Sequence, residues 1–129
     1  MTAAAEARGI AGVVISGRYR DVLEHGSFPV FARGRSTLGQ SPFTRPAEYD
    51  VPLTIVADSE GEGLSALEPV TVRPADWIVA DCNGVVCVPA ELVDRAVEQA
   101  KISRDVDDRC MQDIRAGKGV QASFKKHRG

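Results

Sequence analysis

The sequence holds little of what marks a specialised environment. Cysteine occurs 3 times in 129 residues, as Cys82, Cys87 and Cys110. That odd, sparse set builds no disulfide framework and reads as reduced thiols of a cytoplasmic protein. Cys82 and Cys87 have no second cysteine or histidine pair beside them, whereas a zinc site wants about four ligands. Histidine is scarcer still, and neither His25 nor His127 has a serine or cysteine nucleophile in a recognisable triad setting. Neither sign of charge dominates: 16 Lys and Arg against 18 Asp and Glu leave a formal net charge of -2. Nucleic acid and anionic membranes are therefore not expected partners. No apolar run approaches the ~20 residues of a membrane helix. The N-terminus lacks a basic segment followed by a hydrophobic core, the pattern of a secretory signal. Gly61 and Gly63 neither follow a buried strand nor open a helix, which removes a phosphate-binding loop.

What remains is ordinary globular chemistry, with 43% hydrophobic and 26% charged residues, enough for one domain with a modest core. The alanine-rich stretch Thr2 to Arg8 predicts a short helix stopped by Gly9. Val13, Val14 and Ile15 are β-branched and uninterrupted, which suits a strand at Gly12 to Ser16 buried on both faces. Gly17 is then expected to permit a tight exit, leaving Arg20 and Asp21 on the loop or first helical turn beyond it. A helical turn or two at Val22 to Gly26 and a strand opening at Pro29 follow. From Gly34 to Pro52 the chain is rich in Gly, Ser, Thr and Pro and reads as a long loop. Strands are expected at Asp50 to Ala57 and Val70 to Arg73, with an exposed acidic, glycine-rich loop between them at Asp58 to Gly63. Asn83-Gly84 is the strongest hairpin signal, joining Trp77–Asp81 to Val85–Val88. Leu92, Val93, Ala96, Val97 and Ala100 form a helical stripe. It thins through Ile102, Val106, Met111 and Ile114 toward Gly117, a segment that suits packing on a neighbouring subunit. A last short helix surrounds Phe124, and Lys125 to Arg128 reads as a solvated basic tail. Strands and helices mixed in this way indicate an α/β class.

Arg20 and Asp21 are the candidate site residues, although spacing alone favours a solvated surface pair flanking a helix start. The carboxyl end of a strand is where open α/β sheets place their sites. An adjacent guanidinium and carboxylate could grip an anionic substrate and a divalent metal together. The competing reading of Asp21 is a helix cap at a turn, and that of Arg20 a structural ion pair.

Gly9-Ile-Ala-Gly-Val-Val-Ile-Ser-Gly-Arg-Tyr-Arg-Asp21 resembles the signature of the RraA-like family. The likeness continues through Phe28–Gly34, Val72–Asp76 and Ile78–Pro89 to Phe124-Lys-Lys-His127. That family includes 4-hydroxy-4-methyl-2-oxoglutarate aldolases, related oxaloacetate decarboxylases and regulators of ribonuclease E. The resemblance implies a metal-dependent carbon–carbon lyase for small 2-oxo acids, working through a pyruvate enolate. Asp21 would hold Mg²⁺ or Mn²⁺, directly or through water. Arg20 would bind the substrate carboxylate or the developing enolate oxygen; both would be catalytic. With no dedicated general base in the chain, water would carry the proton.

The same resemblance implies the C-terminal portion of a swivelling β/β/α domain and a homotrimer. Residues 1–117 would be an incomplete domain including its long helix, and residues 118–129 a short helix and tail. Relatives commonly have aspartate where Ser16 stands, glycine where Ala75 stands, and a tight turn where 58–68 looks like an insertion. They also have a further N-terminal half, ending in a glycine loop that supplies N–H groups to the substrate carboxylate. A truncated, weakly active chain is the resulting expectation. A non-catalytic regulator of the ribonuclease-inhibiting type, or an inactive fragment, is the alternative.

Overall fold

A computed structural model describes residues 1–56 and 68–129. The expected acidic loop and the 58–68 insertion fall almost wholly outside the described residues. In chain order the elements are α1 (Thr2–Glu6), β1 (Val13–Tyr19), a 3-10 turn (Val22–His25), β2 (Val30–Arg35), β3 (Leu53–Ile55) and β4 (Val70–Val72). There follow β5 (Trp77–Asp81), β6 (Gly84–Val88), a 3-10 turn (Ala90–Leu92), α2 (Val93–Arg115) and α3 (Val120–His127). The α/β class expected from the sequence is the observed one.

Contacts group the chain into two units, Met1–Pro74 with Ile78–Cys87, and Ala75–Trp77 with Val88–Gly129. The second unit holds both α2 and α3.

In the first unit β1 and β2 run parallel, pairing Val13 with Val30 and Ile15 with Ala32, then Arg18 with Gly34 after an irregularity. β3 and β4 form an antiparallel pair, and β5 and β6 a hairpin. Two expectations about β1 are corrected. The strand does not leave at Gly17 but absorbs Ser16 and Gly17 as a bulge-like register shift and continues to Tyr19. A residue inserted into one of two paired strands kinks the ladder without ending it, and glycine tolerates that kink. Nor is the apolar run buried on both faces, since Val13 is 37% and Val14 45% exposed. Pairing with β2 satisfies one edge of β1 and covers neither of its faces, so these side chains stay partly open.

The hairpin forms, though Asn83-Gly84 does not supply its two turn residues. Cys82 and Asn83 make the turn and Gly84 opens β6. The Asp81 carboxylate accepts the Asn83 backbone N–H at 2.7 Å, closing the turn from its own side chain. That hydrogen bond holds the Asp81 carboxyl below its ordinary range. Cys82 is exposed at the turn, and Cys87 lies partly covered on β6.

In the second unit the Asp76 carboxylate accepts the Ala90 N–H at 3.1 Å, at the turn that leads into α2. Ala75 takes φ 72°, a left-handed conformation that suits glycine better than alanine. The basic tail is not simply solvated. Lys126 and His127 approach Asp113 of α2 at 3.1 and 3.0 Å, and Lys118 donates to the same carboxylate at 2.7 Å. Arg128 donates to Asp107 at 2.6 Å and lies over the Phe124 ring. Together with the buried Ser123 hydroxyl donating to the Cys110 carbonyl at 3.1 Å, these contacts fold α3 back along α2. The Asp113 carboxyl is held well below the usual carboxylate range, chiefly by Lys118 and then by His127 and Lys126.

Candidate active site

β1 delivers Arg20 and Asp21 just past its last residue, Tyr19. The Ser36 N–H reaches back to the Tyr19 carbonyl at 2.8 Å and extends the parallel ladder to this point. Beyond it the backbone reverses sharply. Asp21 takes φ 59° and ψ 42°, the left-handed region, and precedes the 3-10 turn. Aspartate and asparagine enter this region more readily than other side-chain-bearing residues, though at some cost. Asp21 occupies the capping position of that turn, yet its side chain makes no capping hydrogen bond. Its carboxylate faces the preceding guanidinium instead, Arg20 Nε to Asp21 Oδ2 being 3.1 Å. The side chains are 53% and 50% exposed, respectively, so the pair meets solvent on an open surface. The structure thus brings together the two residues that the sequence singled out, at the carboxyl end of a parallel strand.

Two further groups belong to this place and were passed over in the sequence. His25, set aside there for want of a triad, puts Nε2 3.0 Å from the Arg20 carbonyl oxygen. Its ring lies 5.2 Å from that of Tyr19 at 46°. Gly39, from the loop after β2, passes beside the guanidinium: a Cβ placed on it would stand 3.9 Å from Arg20 Cζ. The signal for His25 was its spacing, four residues after Asp21 and directly before Gly26, which suits a side chain returning over one tight turn. Gly39 had no such signal, because its proximity depends on the path of an irregular loop.

Beside this corner lies an open cleft of about 500 Å³ over β1 and β2, lined by Val14, Ile15, Phe31, Ile55 and the Asp81–Val85 turn. Tyr19 lines it; Arg20 and Asp21 do not. Arg33 donates to the Val56 carbonyl, tying β2 to the end of β3.

Among the described residues no three His, Cys, Asp or Glu side chains converge as a metal cluster. At the Arg20–Asp21 corner, Asp21 offers one hard, half-exposed carboxylate. That donor set does not fit zinc, which wants several nitrogen or sulfur ligands. It does fit Mg²⁺ or Mn²⁺, which hold on through one or two carboxylates and keep waters or take substrate oxygens. Among the described residues no helix is long and apolar enough to cross a membrane.

Comparison with known proteins places these features in context. The chain matches the RraA-like family (Aldolase/RraA) over residues 1–87, the stretch that carries β1, the Arg20–Asp21 corner and the hairpin. It is 30% identical over 119 residues to an uncharacterized protein of Methanocaldococcus jannaschii, covering 91% of this chain and 51% of that one. A Halalkalibacterium halodurans protein, provisionally named a 4-hydroxy-4-methyl-2-oxoglutarate aldolase, is 31% identical over 106 residues, covering 81% of this chain and 44% of that one. A crystal structure of an uncharacterized protein from Pseudomonas syringae pv. tomato superposes with a TM-score of 0.79 at 30% identity, covering 95% of this chain and 56% of that one. The chain spans about half the length of the curated relatives it matches.

Proposed function

The chain belongs to the RraA-like family, and on that premise we propose that it is a divalent-metal-dependent lyase acting on pyruvate-derived 2-oxo acids. The reaction is aldol cleavage of the 4-hydroxy-4-methyl-2-oxoglutarate type, with oxaloacetate decarboxylation as a second outlet of the same enolate. The observation that carries this reading is the Arg20–Asp21 pair, joined at 3.1 Å at the carboxyl end of β1. Asp21 would hold the cation, which supplies positive charge to the oxygens of a 2-oxo acid when bound. Arg20 keeps its charge at every relevant pH and offers a planar fork of donors to a carboxylate or an enolate oxygen. In both reactions the breaking carbon–carbon bond leaves its electron pair on the pyruvate fragment, so charge grows on an oxygen that such a donor can meet. Solvent is the proton carrier in this scheme.

The test is pyruvate release from oxaloacetate and from 4-hydroxy-4-methyl-2-oxoglutarate, with Mg²⁺ or Mn²⁺ and then with chelator. Metal-dependent release from both supports the reading, and its absence with every metal overturns it. One observation favours a second reading, a non-catalytic binding protein: Val14, Val79 and Val86 are 45%, 60% and 60% exposed on the strands of the first unit, apolar surface of the kind that partners cover. Stable capture of a protein partner without turnover would decide for it.

A further inference from the structure

We infer that His25 is a positioning residue: by donating Nε2–H to the Arg20 carbonyl it holds the left-handed peptide turn that faces Asp21 toward Arg20. The inference rests on the lyase reading for its functional consequence, but its geometry stands apart from that reading.

A carbonyl oxygen can only accept, so the 3.0 Å contact requires the proton on Nε2. Nδ1 is then a bare acceptor, and it is buried with no hydrogen-bond partner. A buried nitrogen left unpaired is unfavourable, and it is retained here beside a ring packed 5.2 Å from Tyr19. Packing alone needs no imidazole at this place; the donor at Nε2 does. The carbonyl it holds belongs to the peptide unit joining Arg20 to Asp21. Rotation of that unit changes ψ of Arg20 and φ of Asp21 together, and φ of Asp21 is the strained angle, at 59°. With the donor removed, the peptide can flip and Asp21 can relax to negative φ, carrying its carboxylate away from the guanidinium. His25 is itself held by its backbone, because the N–H of the buried Phe28 donates to the His25 carbonyl at 3.0 Å. Gly26, with φ 57° and ψ -125°, makes the reversal between them, a conformation closed to most side chains. The chain thus runs from a buried anchor, through a fixed histidine, to the peptide that aims the two charged residues.

Two variants separate positioning from mere packing. His25→Phe keeps the ring against Tyr19 and removes the donor along with the unpaired nitrogen. His25→Gln keeps an N–H donor of similar reach and loses the ring. Three readouts are needed: the melting temperature, the Asp21 Cα and Cβ chemical shifts that report its backbone conformation, and pyruvate release. For His25→Phe we expect an unchanged or raised melting temperature and loss of the left-handed signature at Asp21. Its kcat/KM should fall about five- to tenfold, the worth of one hydrogen bond. For His25→Gln we expect the Asp21 signature to remain, with kcat/KM within about threefold of the parent. Nitrogen-15 spectra of the parent should show His25 protonated at Nε2 and bare at Nδ1. A left-handed Asp21 that survives in His25→Phe overturns the inference, as does an Nδ1–H tautomer in the parent. If the parent releases no pyruvate yet Asp21 responds as described, the lyase reading fails and the positioning role stands.

Discussion

Replacing Asp21 separates conformation from charge, because the residue is both strained and ionised. An alanine at φ 59° bears the cost of the left-handed region, about 1–2 kcal/mol. Asparagine tolerates that region and matches aspartate in shape. Glycine has no strain there but gives the unfolded chain more freedom, worth roughly 0.5–1 kcal/mol. Loss of the ion pair to Arg20 matters little to stability. With side chains 53% and 50% exposed, such a pair is worth roughly 0.2–1 kcal/mol. Asp21→Asn and Asp21→Gly should therefore melt close to the parent, and Asp21→Ala should be lower by about 1–3 kcal/mol. Activity should follow a different order. All three variants lack the carboxylate, and all three should lose metal-dependent pyruvate release, by a hundredfold or more if the loss approaches ~3 kcal/mol at the transition state. Thermal unfolding by circular dichroism and a coupled pyruvate assay, run on the same preparations, measure the two orders. An alanine variant as stable as the asparagine one would refute the strain argument. An asparagine variant with parental turnover and metal dependence would refute the role of the carboxylate.

Arg20→Lys should lose most activity although the charge is kept, since an ammonium cannot present two parallel donors; near-parental kinetics would reduce Arg20 to a structural part. Ala75→Gly should stabilise the chain by about 0.5–1 kcal/mol, the relief of a left-handed alanine less the entropy of glycine, visible as a melting temperature higher by a few degrees with unchanged activity. The α2–α3 hairpin should lose stability in acid. The Asp113 carboxyl titrates lower folded than unfolded, so its contribution is present above the ordinary aspartate value of about 3.9 and lost as pH falls below it. Helicity followed by circular dichroism should show that loss in the parent and a flatter acid limb in Asp113→Asn.

The elements that were legible in the sequence are those whose signals are local. Thr2 to Gly9, the stripe from Leu92 to Gly117 and the helix around Phe124 followed helix chemistry; the first two observed helices lie within those spans, and the third, Val120–His127, runs on into the basic tail. Arg20 and Asp21 were legible as a pair because they are adjacent in the chain and follow a β-branched run. The details that were not legible depend on groups far apart or on a choice between near-equal conformations. At the hairpin the Asp81 carboxylate closed the turn one residue earlier than the Asn83-Gly84 signal suggested. At β1 a register shift carried the strand past Gly17, where a turn is equally good chemistry. The basic tail looked solvated because its partners, Asp107 and Asp113, lie a helix away in sequence. Ala75 took a glycine conformation that alanine alone would not advertise.

A last argument concerns what the corner can do unaided. Opposite unit charges about 4 Å apart attract by about 1 kcal/mol in bulk water and about 4 kcal/mol at an effective dielectric of 20. Even millimolar affinity corresponds to about 4 kcal/mol. Arg20 and Asp21 are half exposed, so an anionic 2-oxo acid held by Arg20 alone gains no more than the first figure, less the repulsion of the Asp21 carboxylate, and binds weakly. Additional charge on the same open surface would add little, because each new pair would be screened in the same way. Covering the corner changes more, since excluding water strengthens every interaction already there. The loop at Gly39 already passes beside the guanidinium. Enclosure, more than further charged groups, is what the proposed site would need in order to bind such a substrate well.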